Sequence, residues 1–234
     1  MNEIQLRQQL AAAYNLIDYF GWNDLIYTHI SCKIPGTNHF LINQYGLLFD
    51  EITASNLVKV DLHGNVIGPG SINPAGYIIH SAIHEARTDV SCVLHTHTTN
   101  GIAVSIDKDG LWPISQFAML VLEKLAYHEY YGLVVDTREK SILQNNLGNN
   151  DYLILKNHGL LTVGNSIAQS FMNMYKLQRA CDIQVKCVKD RAIKMSADVI
   201  PANKVAMEKL DSITHVPWNA LLRIVEKKYP NYKS

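Results

Sequence analysis

The sequence has no excess of charge of either sign: 21 Lys and Arg offset 21 Asp and Glu over 234 residues. Without a one-signed field to draw in phosphates or anionic lipid, neither nucleic acid nor a membrane surface is an expected partner. The basic tract Lys186, Lys189, Arg191 and Lys194 reads as a solvated helix face. No apolar run approaches the roughly 20 residues that cross a bilayer. The opening Met1-Asn2-Glu3-Ile4-Gln5 lacks the basic region and apolar core of a secretory signal. Cysteine is sparse: Cys32, Cys92, Cys181 and Cys187 show no Cys-x-x-Cys spacing, the pattern of structural thiols in a reducing compartment. A cytoplasmic location is therefore expected. A glycine-rich nucleotide loop is also missing, since Gly68-Pro69-Gly70-Ser71 reads as a turn. Internal repeats, low-complexity linkers and a serine or cysteine nucleophile with a recognisable base are lacking too.

What is present is a globular composition, 47% apolar and 18% charged. Apolar residues at helical spacing over 3–20 predict a first helix that ends at Gly21. Strand-like segments follow at 26–33, 40–43 and 58–61. Pro74 opens a helix over about 75–87, as proline does at a first helical position. A buried strand is expected at 90–96, helix at 116–126, strand at 132–135, helix at 137–146 and strand at 152–157. A long helix is expected at about 166–190 and another near 217–228. This order predicts an α/β fold, with a domain over 1–195 and a helical extension of the same domain over 196–234.

Histidine carries the chemistry. His95 and His97 close the apolar run Val93-Leu94-His95-Thr96-His97, and His158 closes Tyr152-Leu153-Ile154-Leu155-Lys156-Asn157-His158. Residues i and i+2 of a strand point the same way, so His95 and His97 can meet on one ion. A third imidazole from another segment completes a frequent donor set for a catalytic divalent metal, zinc above all.

The stretch from Ile72-Asn73-Pro74-Ala75-Gly76-Tyr77 through His80-Ser81-Ala82-Ile83-His84-Glu85 to His95-Thr96-His97-Thr98 resembles the class II aldolase/adducin family. Tyr45-Gly46-Leu47-Leu48-Phe49-Asp50-Glu51-Ile52-Thr53, Asp61-Leu62-His63-Gly64-Asn65 and Asn157-His158-Gly159-Leu160-Leu161 agree in order and spacing, and the resemblance covers about residues 5–190. It implies a central, mostly antiparallel sheet flanked by helices. It also implies a homotetramer with its site at a subunit interface, and a divalent ion, usually Zn2+, on His95, His97 and His158. The metal would polarise the carbonyl of a small-molecule substrate in a lyase- or isomerase-type reaction on a hydroxy-carbonyl compound.

The sequence departs from the aldolase pattern at three places. The acid/base glutamate that the resemblance places 19 residues before the first histidine falls on Gly76. The serine pair ahead of it falls on Pro74-Ala75, and the phosphate-contacting Gly-Asn-x-Ser becomes Thr28-His29-Ile30-Ser31. His29 and Ser31 remain the substrate-binding candidates, and a carboxylate restored at residue 76 is expected to fit a helix's first turn. Loss of a general base costs about 10²- to 10⁴-fold in rate, so a catalytically silent adducin-like scaffold, with actin or cytoskeletal association, is the alternative. The family's adducin proteins carry a long basic tail that this chain lacks. Tyr127, His128, Glu129 and Tyr130 are dense in proton-transfer groups and are the candidates for the missing base. His80 and His84 share a helix face at i and i+4, with Ser81 where a metalloprotease would carry glutamate.

Overall fold

Alternation along each strand decides which helices its side chains meet. The structure, a computed structural model, describes residues 1–132 and 139–234. Among these, strands β1 (His29–Lys33), β2 (His39–Ile42), β3 (Val58–Asp61), β4 (Cys92–Thr96), β5 (Leu125–His128), β6 (Tyr152–Leu155) and β7 (Gly159–Gly164) form one sheet. Their order is β3-β2-β1-β4-β7-β6-β5. Every neighbouring pair is antiparallel except β5 and β6, which run parallel.

The helices are α1 (Glu3–Tyr19), α2 (Pro74–Ala86), α3 (Thr99–Ser105), α4 (Gln116–Leu122), α5 (Glu139–Leu147), α6 (Ile167–Gln184), α7 (Val199–Ala202), α8 (Lys204–Ser212) and α9 (His215–Lys228). On one face of the sheet Ile30, Leu94, Ile154 and Leu160 pack with Leu10, Leu16, Phe171 and Met174 of α1 and α6. On the other, Val93, Leu153, Leu161 and Val163 pack with Ile79 and Ile83 of α2 and Leu143 and Leu147 of α5. The expected mostly antiparallel sheet with flanking helices is the fold observed.

Two contacts fix its edges. The buried Tyr14 hydroxyl of α1 accepts the N–H groups of Ile30, at 2.7 Å, and Asn43, at 3.1 Å, and so pins the helix to β1 and to the end of β2. At the other terminus α9 returns to α1: Trp218 Nε1 donates to Gln9 at 2.6 Å and the Tyr229 hydroxyl to Asp18 at 2.7 Å. Tyr232 and Ser234 then accept N–H bonds from Ala54 and Ser55.

Three expectations about elements need correcting. The helix expected to run to residue 126 stops at Leu122, because 125–128 pair in parallel with Tyr152–Leu155 and become an edge strand. Residues 159–164, expected only as a motif, form strand β7 between β4 and β6. Residues 99–105, to which no element was assigned, form α3, capped by the Thr98 hydroxyl. The strand expected at 132–135 lies almost wholly outside the described residues. No helix among the described residues is long and apolar enough to cross a membrane.

Candidate metal centre

β4 delivers His95 on its last turn of alternation, on the same face as Val93 and α2, and His97 follows one residue beyond the strand. β6 and β7 deliver His158 from the tight turn between them, where Asn157 takes the left-handed conformation at φ 58° and the His158 N–H returns to the Leu155 carbonyl. That turn sits hard against β4. A Cβ at Gly159 would stand 2.4 Å from the Thr96 carbonyl oxygen, so glycine there is a condition of the approach. The result is a cluster of His95, His97 and His158 whose ligand atoms all lie within 4.8 Å of one another. His97 Nε2 is 2.8 Å from His95 Nε2 and 2.9 Å from His158 Nε2.

The partners of these rings fix which nitrogen carries the proton. His95 Nδ1 is 2.9 Å from the Leu160 carbonyl, which can only accept, so Nδ1 carries the hydrogen. His97 Nδ1 donates in the same way to the Asp24 carboxylate at 2.9 Å. His95 Nε2 is therefore left free to ligate, and His97, with its Nδ1 side held by Asp24, turns its own Nε2 toward the same point, an arrangement that suits a metal. The donor set fits a divalent ion. Burial, with the neighbouring imidazoles adding to it, holds His95 well below the ordinary histidine range and brings His158 to about 4. At neutral pH both are thus in the form that ligates. Asp24, which no spacing in the sequence singles out, is the residue that sequence reasoning missed.

The histidines open onto a cleft of about 380 Å³ whose wall includes Asp24, Tyr27, His29, Asn73 and Tyr130. Lys and Arg are missing from this wall among the described residues. Of the four proton-transfer candidates, Tyr130 reaches the cleft. Tyr127 faces away and bonds the Leu111 N–H at 2.9 Å. His128 meets Asn146 at 2.9 Å, and Glu129 pairs with Lys156 at 2.5 Å.

Beside the triad lies a seam between β1 and α2. His29 and Ser31 alternate onto the α2 side of β1, and His29 sits opposite His95 in the β1–β4 register. Gly76, His80 and His84 repeat every four residues along α2 and face them. His29 Nδ1 lies 2.7 Å from His80 Nε2, His80 Nδ1 bonds the Ser31 hydroxyl, and that hydroxyl meets His84 Nε2 at 2.7 Å. His29 fills the space over Gly76: a Cβ there would stand 2.5 Å from its Cδ2 and 2.9 Å from its Nε2. This overturns the expectation that a glutamate fits at residue 76, because His29 already occupies its path. Glu85, further along α2, is engaged with Lys140 at 2.8 Å.

The family described as Class II Aldolase and Adducin N-terminal domain matches residues 8–185. A Pseudomonas aeruginosa protein with a provisional class 2 aldolase name is 50% identical, over 99% of this chain and 93% of its own length. Rat alpha-adducin is 49% identical over 77% of this chain, a match that takes in 25% of the adducin. The solved structure of L-fuculose 1-phosphate aldolase from Glaciozyma antarctica superposes with a TM-score of 0.84 at 26% identity, covering 97% of this chain and 92% of that one. The match of sequence over most of the domain, and of fold over nearly all of the chain, means that this protein belongs to the class II aldolase and adducin N-terminal domain family.

Proposed function

We propose that this protein is a metal-dependent lyase- or isomerase-type enzyme acting on a small hydroxy-carbonyl compound. His95, His97 and His158 would hold the divalent ion, zinc first among the candidates. The observation that carries this reading is the convergence of the Nε2 atoms of His95, His97 and His158, with the Nδ1 sides of His95 and His97 engaged by Leu160 and Asp24. When bound, the ion supplies Lewis acidity that polarises a carbonyl and stabilises an enediolate. The chain's own residues do the rest. Asp24 fixes the His97 ring, the apolar side of the cleft at Ile79 and Ile102 excludes water, and Tyr130 is the candidate placed to exchange a proton at the substrate. With neither Lys nor Arg in the described wall, sugar phosphates are poor substrates on this reading and unphosphorylated compounds the better ones.

The test is elemental analysis of the purified protein beside a His95→Ala/His97→Ala variant, with turnover of hydroxy-aldehydes followed in both. About one divalent ion per chain, lost in the variant together with activity, supports the assignment; equal metal in both refutes it. We propose a homotetramer as well, which light scattering showing a monomer at micromolar concentration would reject. A cytoplasmic location accords with four free cysteines.

Two observations favour a second reading, a catalytically silent scaffold. Gly76 lacks the aldolases' acid/base carboxylate, and the domain is 49% identical to that of alpha-adducin. Metal bound without turnover, together with co-sedimentation with actin filaments, would establish it.

A further inference from the structure

The β1–α2 seam is one continuous hydrogen-bonded line, from His29 at the cleft through His80 and Ser31 to His84. All four residues are buried, and at the inner end His84 Nδ1 has no partner. With each imidazole neutral and carrying one N–H, two proton arrangements satisfy every link and every buried hydrogen of the serine; a third, in which Ser31 accepts from both His80 and His84, leaves its own buried O–H without an acceptor. In the first, His84 Nε2–H donates to Ser31, Ser31 O–H to His80 Nδ1, and His80 Nε2–H to His29 Nδ1. His29 then presents Nε2–H to the cleft, and the unpaired atom on His84 is a lone pair. In the second every link is reversed. His29 then presents a lone pair, and the unpaired group on His84 is a buried N–H.

Two features select the first arrangement. An orphaned buried N–H is rarer in native proteins than an under-used acceptor. Lys33 follows His29 and Ser31 by the same two-residue step along β1, on the side of the sheet that meets α2, and its positive charge acts on His84, favouring a lone pair over an N–H there. The line is also a dead end. A proton taken up or given away by His29 would have to be balanced at His84, where no group accepts or supplies one. The seam therefore orients a proton and does not conduct it.

We propose that His29 contacts substrate as a hydrogen-bond donor through Nε2–H, with His80, Ser31 and His84 as the positioning residues that hold it in that form. It would take an oxygen of an unphosphorylated hydroxy-carbonyl compound or its carboxylate in the cleft that His29 lines together with His95, His97 and His158. The choice of compound class rests on the reading of the cleft given above; the donor state of His29 does not.

The experiment separates the two. Two-bond ¹H–¹⁵N spectra of the metal-free full chain, labelled at histidine, report which ring nitrogen bears hydrogen. The expected result is Nε2–H at His29, His80 and His84, and a His29 protonated at Nδ1 overturns the proposal. Ser31→Ala removes the hydroxyl that passes the order along, so His29 should become a mixture of both forms; an unchanged His29 in a folded Ser31→Ala protein also overturns it. If that variant does not fold, the wild-type spectrum decides alone. In zinc-loaded protein, glycolate is the probe. Its affinity should fall about tenfold in His29→Phe, with zinc content unchanged, and by less than about threefold in His29→Gln, which keeps an N–H at similar reach. Equal affinity in wild type and His29→Phe refutes the contact. A spectrum with the expected protons from a chain that binds no zinc would refute the metal reading and uphold the donor.

Discussion

Gly76 and His29 form a pair of residues that fit only together. The ring of His29 lies where a Cβ at residue 76 would stand, 2.5 Å from its nearest atom. Gly76→Glu should therefore destabilise the protein by about 1–3 kcal/mol, as overpacking does, and should yield no gain in aldol cleavage. Combined with His29→Ala, which clears the space, it should be better tolerated than alone; urea unfolding of the four proteins in that cycle gives the coupling, and an undiminished stability in Gly76→Glu would contradict the packing. Asp24→Asn keeps the size of the side chain but removes the charge that orients His97. Loss of such an outer partner typically weakens metal affinity by about 10- to 100-fold, to be measured by competition with a chromophoric chelator. His84 gives a pH prediction. Burial, and to a lesser degree Lys33, lowers it to about 3, so below its ordinary value of 6.5 the unfolded chain takes a proton that the folded one refuses. Stability contributed by the neutral ring is complete above pH 6.5 and is lost on acidification through that window down to about 3. The slope is about 1.4 kcal/mol per pH unit. Denaturant unfolding at pH 6.5 and 5.5 should show this slope reduced in a folded His84→Gln variant. At this scale the histidines were legible because a two-residue period and a four-residue period each put side chains on one face. Asp24 was not, because its link to His97 spans 73 residues and leaves no local pattern.

Among the elements, those with a strong period of their own matched the reading of the chain: α1, α2, β3, β4 and α6 lie within a few residues of expectation apart from the far end of α6, which stops at Gln184. The misassigned ones owe their form to neighbours. Leu125-Ala126-Tyr127-His128 continues the apolar texture of α4, and only the adjacent β6 makes it a strand. Gly159–Gly164 is buried throughout, so it shows no alternation to read. How elements hold one another can be tested at Tyr14. Its hydroxyl serves two backbone N–H groups, from β1 and from just beyond β2, in a fully buried place. Tyr14→Phe leaves both without an acceptor at about 1–3 kcal/mol each. A loss of at least about 2 kcal/mol in chemical denaturation is expected, and a loss under half of that would show that the two strand ends find other partners.

On the scale of the whole molecule, the three-ligand cluster joins parts of the chain that are far apart in sequence and otherwise held by strand pairing and apolar packing. His95 and His97 end the strand at the middle of the sheet, His158 belongs to the β6–β7 hairpin, and Asp24 comes from the segment that leads α1 into β1. An ion in that cluster would be a cross-link as well as a reagent, because it closes loops of the unfolded chain and binds only the folded one. At a free concentration a thousandfold above its dissociation constant it would add about 4 kcal/mol to stability. A strong chelator should accordingly lower the melting temperature by several degrees, reversibly on return of zinc, and a chelator-insensitive transition would show that no ion ties these segments together. The centre would then also report on supply: in a metal-poor medium the protein would lose its fold's lock together with its chemistry, and turnover of the chain itself would follow the availability of the ion.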